Sequence, residues 1–221
     1  MSLQKAIVTS GPTMEWIDPV RFLSNASSGK MGYCIAQELQ GWLPQVTYIC
    51  GNVRDKYRHL SNSKTVAVET TNEMLEAVWQ EMQEKTLLVM AAAPLDYRPK
   101  QEAREKIKKE KNTSMTLEFI ANRDILKSIS QRIQETGYQD TALVGFAAET
   151  NDLEKHAITK LNRKGLDYIV GNYVGKNQQG FGENESSIEI FSQQGSVHKV
   201  GPLPKEELAR EISQFLKKQY I

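Results

Sequence analysis

Two stretches of the chain, "TLLVMAAA" at 86–93 and "TALVGFAAET" at 141–150, are apolar at nearly every position. They lack the polar alternation of a strand with one wet face. Runs of this kind and length are strands buried on both faces, and such strands need helices above and below the sheet. Shorter runs repeat the signal: "KAIVTSG" at 5–11, "QVTYICG" at 45–51, "KTVAVETT" at 64–71 and "DYIVGN" at 167–172. Between them lie segments of helical periodicity. "GKMGYCIAQELQGW" puts Met31, Ile35 and Leu39 on one stripe, and "NRDILKSISQRIQET" does the same with Ile125, Ile129 and Ile133. "NEMLEAVWQEMQEK" predicts a helix with Asn72 as N-cap, "NDLEKHAITKLNRKG" one closed by Gly165, and "PKEELAREISQFLKKQ" a last amphipathic helix. Strand alternating with helix predicts an α/β fold: a doubly wound, mostly parallel sheet with helices on both faces.

Two stretches break the alternation. Residues 97–119 begin at a proline-flanked turn, carry a lysine cluster and end in an alternating strand, "SMTLEF". Residues 173–200 run through "GKNQQGFGENESS" into a hairpin, "IEIFSQQGSVHKV". Both are expected as flap excursions from the sheet edge within a single domain of 221 residues. A net charge of +1 gives no global field for nucleic acid or an anionic membrane. No run reaches the roughly 18 apolar residues of a membrane span, and "MSLQKAIVTSG" lacks the apolar core of a signal peptide. Cys34 and Cys50 show no metal spacing and are expected as reduced, buried thiols of a cytoplasmic protein.

The segment after the first strand, "DPVRFLSNASSGKMG" at 18–32, can build little core and is expected as a loop. It leads into a helix N-terminus near Gly29, where free N–H groups favour an anion. Ser24, Ser27 and Ser28 add hydroxyl donors, Gly29 and Gly32 permit close approach, and Arg21 can fork onto a phosphate or carboxylate. The spacing is neither GxGxxG nor GxxxxGK[ST]. "MAAAPLDYRP" runs a buried strand into small alanines and then Asp96, leaving room for a ring and placing a carboxylate beside it. Lys106, Lys108, Lys109 and Lys111 form a cluster that is either a solvated surface or a cover for a polyanion. Lys160 and Lys164 are either helix surface or part of the same cleft.

Taken together, "TSGPTMEWIDPVRFLSNASSGKMG", "AAAPLDYRP", "KIKK", "NRDIL", "VGFAAETND", "KLNRKGLDYIVGN" and "GFGENESSIEIF" resemble the phosphopantothenate–cysteine ligases of coenzyme A biosynthesis. The segments occur in that family's order from residue 9 to beyond 190. The resemblance implies a Rossmann-like fold and a two-step ligation. The carboxylate of 4′-phosphopantothenate attacks the α-phosphate of a nucleotide, giving an acyl nucleotidylate (an acyl-cytidylate from CTP) and pyrophosphate. The amine of L-cysteine then takes the acyl group and releases CMP. Bacterial members use CTP with magnesium, and animal members use ATP. The resemblance also implies a homodimer in which the lysine segment reaches the partner's site. It implies no flavin, and, because the chain starts at the ligase's first strand, a stand-alone form with a separate decarboxylase in the cell.

By the same resemblance Asn25 grips the acyl nucleotidylate and Lys106 is needed for turnover. Arg21, Ser27, Ser28, Gly29, Ala92 and Ala93 surround the substrate. Asp96, Asn122, Asp124, Phe146, Lys160 and Lys164 hold the nucleotide, and no metal ligand is assigned. The chain departs from the family pattern at Pro94, Leu95, Ala121, Arg123, Tyr173, Asn184 and Ser186, all near expected nucleotide contacts. Two rival readings make different demands on the sequence. A nicotinamide-linked oxidoreductase would want GxGxxG after the first strand and an acidic residue closing the second, where this chain has "TSGPT" and "YICG". A non-catalytic nucleotide-binding module would be indifferent to loss of Lys106. His59, His156 and His198 are scattered, and no Ser-His-Asp set is visible.

Overall fold

The computed structural model describes residues 2–108, 114–174 and 185–221. Its elements in chain order are β1 (Lys5–Ser10), β2 (Met14–Asp18), β3 (Arg21–Ser24), α1 (Lys30–Leu39), β4 (Gln45–Cys50), β5 (Lys64–Ala67), α2 (Thr71–Glu81), β6 (Thr86–Met90), β7 (Tyr97–Pro99), β8 (Phe119–Ala121), α3 (Ile125–Thr136), β9 (Ala142–Glu149), α4 (Leu153–Lys164), β10 (Tyr168–Tyr173), β11 (Ser186–Ser192), β12 (Gly195–Leu203) and α5 (Lys205–Tyr220). One sheet has the order β12-β11-β10-β9-β6-β1-β4-β5. Strands β5, β4, β1, β6, β9 and β10 run parallel, and β11 and β12 continue antiparallel.

Strand alternation divides the core in two. Ala6 and Val8 of β1, with Leu87 and Val89 of β6, face α1 and α5. Ile7 and Leu88 face α2, α3 and α4. The doubly wound sheet expected from the sequence is therefore present, with helices on both faces. Helix α1 lies directly on β1 because residue 32 is glycine: a Cβ there would sit 2.7 Å from both the Ser10 Cβ and the Thr9 carbonyl oxygen.

Four local expectations need correction. Residues 14–24 form a β-hairpin, not a loop. Trp16 and Phe22 pack edge to face across it at 5.2 Å, and the buried Glu15 and Asp18 anchor its inner side by hydrogen bonds. Helix α2 is capped by Thr70 rather than Asn72, through a reciprocal capping box with Glu73. "SMTLEF" is not a continuous strand: the ladder with β7 covers Phe119–Ala121, and beyond Pro99 one more backbone bond, the Lys100 N–H to the Glu118 carbonyl at 2.9 Å, ends it. The first flap also leaves from the centre of the sheet, after β6, and docks on the β2–β3 hairpin through the Ala103 N–H to the Ile17 carbonyl, 2.9 Å. Residues 109–113 and 175–184, and with them Lys109, Lys111 and Asn184, lie outside the described residues.

At the amino ends of the strands, Glu81 takes Lys5 on one oxygen at 2.8 Å and Lys64 on the other. Burial pushes its carboxyl up, but the two ammonium groups and the Thr47 hydroxyl hold it down at about 2. Asp18 is treated alike: burial raises it, and Arg21 with the Val20 and Ile107 N–H groups brings it to about 2. Both carboxyls titrate lower in the folded state. Their contribution is complete above the ordinary carboxylate range near pH 4 and disappears as pH falls through about 2. The thermal midpoint is expected to drop across that window, and Glu81→Gln to flatten the drop while lowering stability at neutral pH. Calorimetry from pH 5 to 2 checks this; an unchanged slope in the variant contradicts it.

Candidate functional site

In a doubly wound sheet the strand order reverses at one place, and a crevice opens there beyond the strands' carboxyl ends. Here that place is between β1 and β6. A cleft of about 380 Å³ lies over it. The wall is assembled from separated parts of the chain: the end of β3 and start of α1, the exit of β6, the start of α3, the carboxyl ends of β9 and β10, and one face of α4. Asn25, Ser27, Ser28, Gly29, Ala92, Ala93, Asp96, Asn122, Asp124, Phe146, Lys160 and Lys164 all line it. Arg21 and Lys106 do not.

The α1 end of the cleft is shaped for an anion. Gly29 adopts φ +81°, a left-handed turn into the helix start; as N-cap it has no side chain to offer, and the Lys30 N–H is met by the Ser28 hydroxyl at 3.4 Å. Ser10 holds the turn by donating to the Gly29 carbonyl at 2.6 Å. Across from it, the Asn25 amide donates to the Ala93 and Pro94 carbonyls, both at 3.1 Å, which ties the hairpin to the exit of β6. Ala91, Ala92 and Ala93 keep the floor open between these groups.

The α4 end is cationic but balanced. Lys160 and Lys164 stand one turn apart on α4. Lys164 pairs with Asp124 at 2.9 Å, while Asp124 also caps α3 by accepting from the Lys127 N–H. Lys160 donates to the Phe146 carbonyl at 3.2 Å. Burial lowers its pKa, and Lys164 beside it lowers it further; Glu149, Asp96 and Asp124 pull the other way. Asp96 is the exposed carboxylate of this half.

Two predicted residues, Arg21 and Asn122, serve the framework in this structure. Arg21 pairs with the buried Asp18 through Nε at 2.9 Å and donates to the Ile107 carbonyl at 2.6 Å. The Ile107 N–H returns to Asp18 at 3.1 Å, so the residue after Lys106 is clamped on both backbone groups. Lys106 itself is exposed, outside the cleft wall. The Asn122 side chain bonds Glu15, Leu95 and Arg98 at 3.0, 2.9 and 3.0 Å. Sequence reasoning missed Thr13 and Glu15, although both lie in the family-like segment that begins "TSGPTMEWIDP", and Thr71, which carries no motif signal. It also missed Lys30 and Lys205 on the wall, whose polar helix-start positions look like solvated surface. Both cysteines are buried free thiols, and burial pushes Cys34 up to about 11. Among the described residues no cluster of three His, Cys, Asp or Glu is arranged to hold a metal, and no helix is long and apolar enough to cross a membrane.

The model of the DNA/pantothenate metabolism flavoprotein C-terminal domain family matches residues 1–220. The chain is 35% identical over 220 residues to the coenzyme A biosynthesis bifunctional protein CoaBC of Vibrio cholerae, covering 98% of this chain and 53% of the relative. It is 38% identical over 208 residues to the Escherichia coli K12 protein of the same name, covering 93% and 49%. The chain thus spans about half the length of the curated relatives it matches. They are bifunctional proteins, unlike the stand-alone form expected from the sequence. Among solved structures, the crystal structure of a CoaBC C-terminal domain superposes with a TM-score of 0.74 at 32% identity, covering 99% of this chain and 96% of that one. The DNA/pantothenate metabolism flavoprotein of Streptococcus pneumoniae shares the fold, with a TM-score of 0.78 at 20% identity over 99% and 100% of the two chains. A match along virtually the whole chain, with this cleft at the sheet's switch point, places the protein in the DNA/pantothenate metabolism flavoprotein C-terminal domain family.

Proposed function

We propose that the cleft joins 4′-phosphopantothenate to L-cysteine by way of an acyl nucleotidylate, with CTP as the nucleotide. The observation that carries this is the division of one cleft into an anion-favouring end at α1 and a charge-balanced end at α3 and α4, with Asn25 and the alanines between them. A polyphosphate suits the first end. A ribose and base suit the second, where Asp96 can accept from hydroxyls and Phe146 offers an aromatic surface. The chemistry asks for positioning and charge stabilisation more than for a covalent nucleophile.

In the first step the pantothenate carboxylate oxygen bonds to the α-phosphorus, the bond from that phosphorus to the bridging oxygen breaks, and pyrophosphate leaves. In the second the cysteine nitrogen bonds to the acyl carbon, the bond to the phosphate oxygen breaks, and CMP and a proton leave. Asn25, held by two carbonyls, is placed to orient the acyl phosphate. Lys160 and Lys164 carry the charge that holds the nucleotide. Asp96 and Asp124 are the carboxylates on the wall expected to touch it, and Asp124 is already paired. A magnesium ion would arrive on the nucleotide's phosphates, and no residue of this chain is assigned to hold it. When bound, the ion neutralises phosphate charge.

Lys106, exposed and off the wall, fits a role in the cleft of a second copy of the chain. The exposed apolar residues Val20, Phe22, Tyr97 and Phe119 on the hairpin and the flap support such a homodimer. Phe22→Asp is expected to give a monomer by sedimentation with turnover lost; a fully active monomer contradicts the role in a partner.

Pyrophosphate release that requires 4′-phosphopantothenate and prefers CTP to ATP is the expected result in a coupled assay with magnesium. Asn25→Asp, which sets a negative charge beside the anionic intermediate, should reduce product formation at least tenfold. No release from folded protein with either nucleotide overturns the reading. Since burial lowers the Lys160 pKa, its charge is lost below the usual lysine range as pH rises. The KM for CTP should therefore climb on the alkaline side, and Lys160→Arg should abolish the climb because a guanidinium stays charged. A climb of equal size in the variant would assign it to another group.

A further inference from the structure

We infer that Glu15 is the positioning residue of the nucleotide half of the cleft, an inference that rests on the nucleotide-dependent reading above. Glu15 is 5% exposed, on the inner side of the β2–β3 hairpin. Its Oε1 accepts the Thr71 N–H and the Asn122 Nδ2, each at 3.0 Å. A buried carboxylate is costly to desolvate and persists where its hydrogen bonds are well made. Here those bonds tie together three chain segments that are remote in sequence. Asn122 passes its second amide proton to the Leu95 carbonyl at 2.9 Å, and its own N–H goes to the Asp96 carbonyl at 2.8 Å. The Leu95 N–H goes to the Thr13 hydroxyl at 3.0 Å, and that hydroxyl meets the Thr71 hydroxyl at 2.9 Å. Arg98 sets the direction of the Asn122 amide by donating to its oxygen at 3.0 Å. The backbone of Leu95 and Asp96 is thus held on both sides, and the β8–α3 turn bearing Asp124 is held with it. The Glu15 Oε1 is the atom on which the Thr71 and Asn122 bonds converge. It touches no substrate in this account, and it acts through Asn122 and Thr71.

The consequence is specific. Without the carboxylate, the Thr71 N–H loses its acceptor and one Asn122 proton is left with only the Thr71 hydroxyl at 3.3 Å, so the two loops that carry Asp96 and Asp124 are held less firmly. The α1 end of the cleft, built on Ser10 and Gly29, is left as it is. Glu15→Gln retains an oxygen able to accept both bonds; Glu15→Ala retains none.

Hydrogen–deuterium exchange on the free full chain reads the network without any assay of activity. In Glu15→Ala, exchange should rise at the amides of Thr71, Leu95 and Asn122 while β1 and β6 stay protected, and Glu15→Gln should restore protection. In turnover the alanine variant should raise the KM for CTP roughly tenfold, the cost of a lost charge-assisted bond, with the KM for cysteine unchanged and glutamine restoring most of the loss. Unchanged exchange at Thr71 and Asn122 overturns the inference. So does a uniform rise in exchange with kinetic constants per folded molecule unaltered, the mark of a merely structural residue. If the wild-type chain releases no pyrophosphate, the ligase reading fails, and the exchange pattern still decides the role of Glu15.

Discussion

Burial of the central parallel strands on both faces is the constraint from which the rest of this structure follows. Strands such as Leu87–Val89 have no wet side, so polar chemistry can sit only where the strands end. Two cores, one around α1 and α5 and one around α2, α3 and α4, close the faces. What remains open is the crevice at the carboxyl ends of β1 and β6, and the chain returns to it from one segment after another. Gly32 matters for the same reason: it lets α1 lie close enough on β1 for the helix start to reach the crevice.

Charge is distributed unevenly around that crevice, and the unevenness gives the site its direction. The α1 end offers amides and hydroxyls with no carboxylate in the loop itself. At the other end Asp124 answers Lys164, and Asp96 stands by. Lys160, desolvated and next to Lys164, holds its proton less firmly than a surface lysine despite Glu149, Asp96 and Asp124 nearby. An anion bound beside it would favour the charged form.

Much of the fold was legible in the sequence because its signals are local. The double-sided strands and the stripes of Ile125, Ile129 and Ile133 depend on spacing alone. The β2–β3 hairpin was not legible, since Glu15 and Asp18 are buried by partners 56 and 89 residues away in the chain, Thr71 and Ile107. Local composition marks such residues as solvent-facing. The cap of α2 misled for a related reason: "TTNE" offers adjacent candidates, and the reciprocal bond to Glu73 selects Thr70. Most of the candidate cleft residues came from the family resemblance, and the structure brings them to one place. Arg21 shows the limit of that route. A guanidinium next to a serine-rich loop suggests an anion contact, yet here it is bonded to Asp18 and Ile107 and fastens the lysine segment to the hairpin.

The central claim is that this cleft activates a carboxylate by transferring a nucleotidyl group to it. Oxygen-18 placed in the carboxylate of 4′-phosphopantothenate tests it most directly, with the products of a reaction containing CTP and L-cysteine read by mass spectrometry. Transfer through an acyl nucleotidylate leaves one labelled oxygen in the released CMP and none in pyrophosphate. Label found in inorganic phosphate, with CDP as the nucleotide product, would mean activation at the γ-phosphate and would contradict the account.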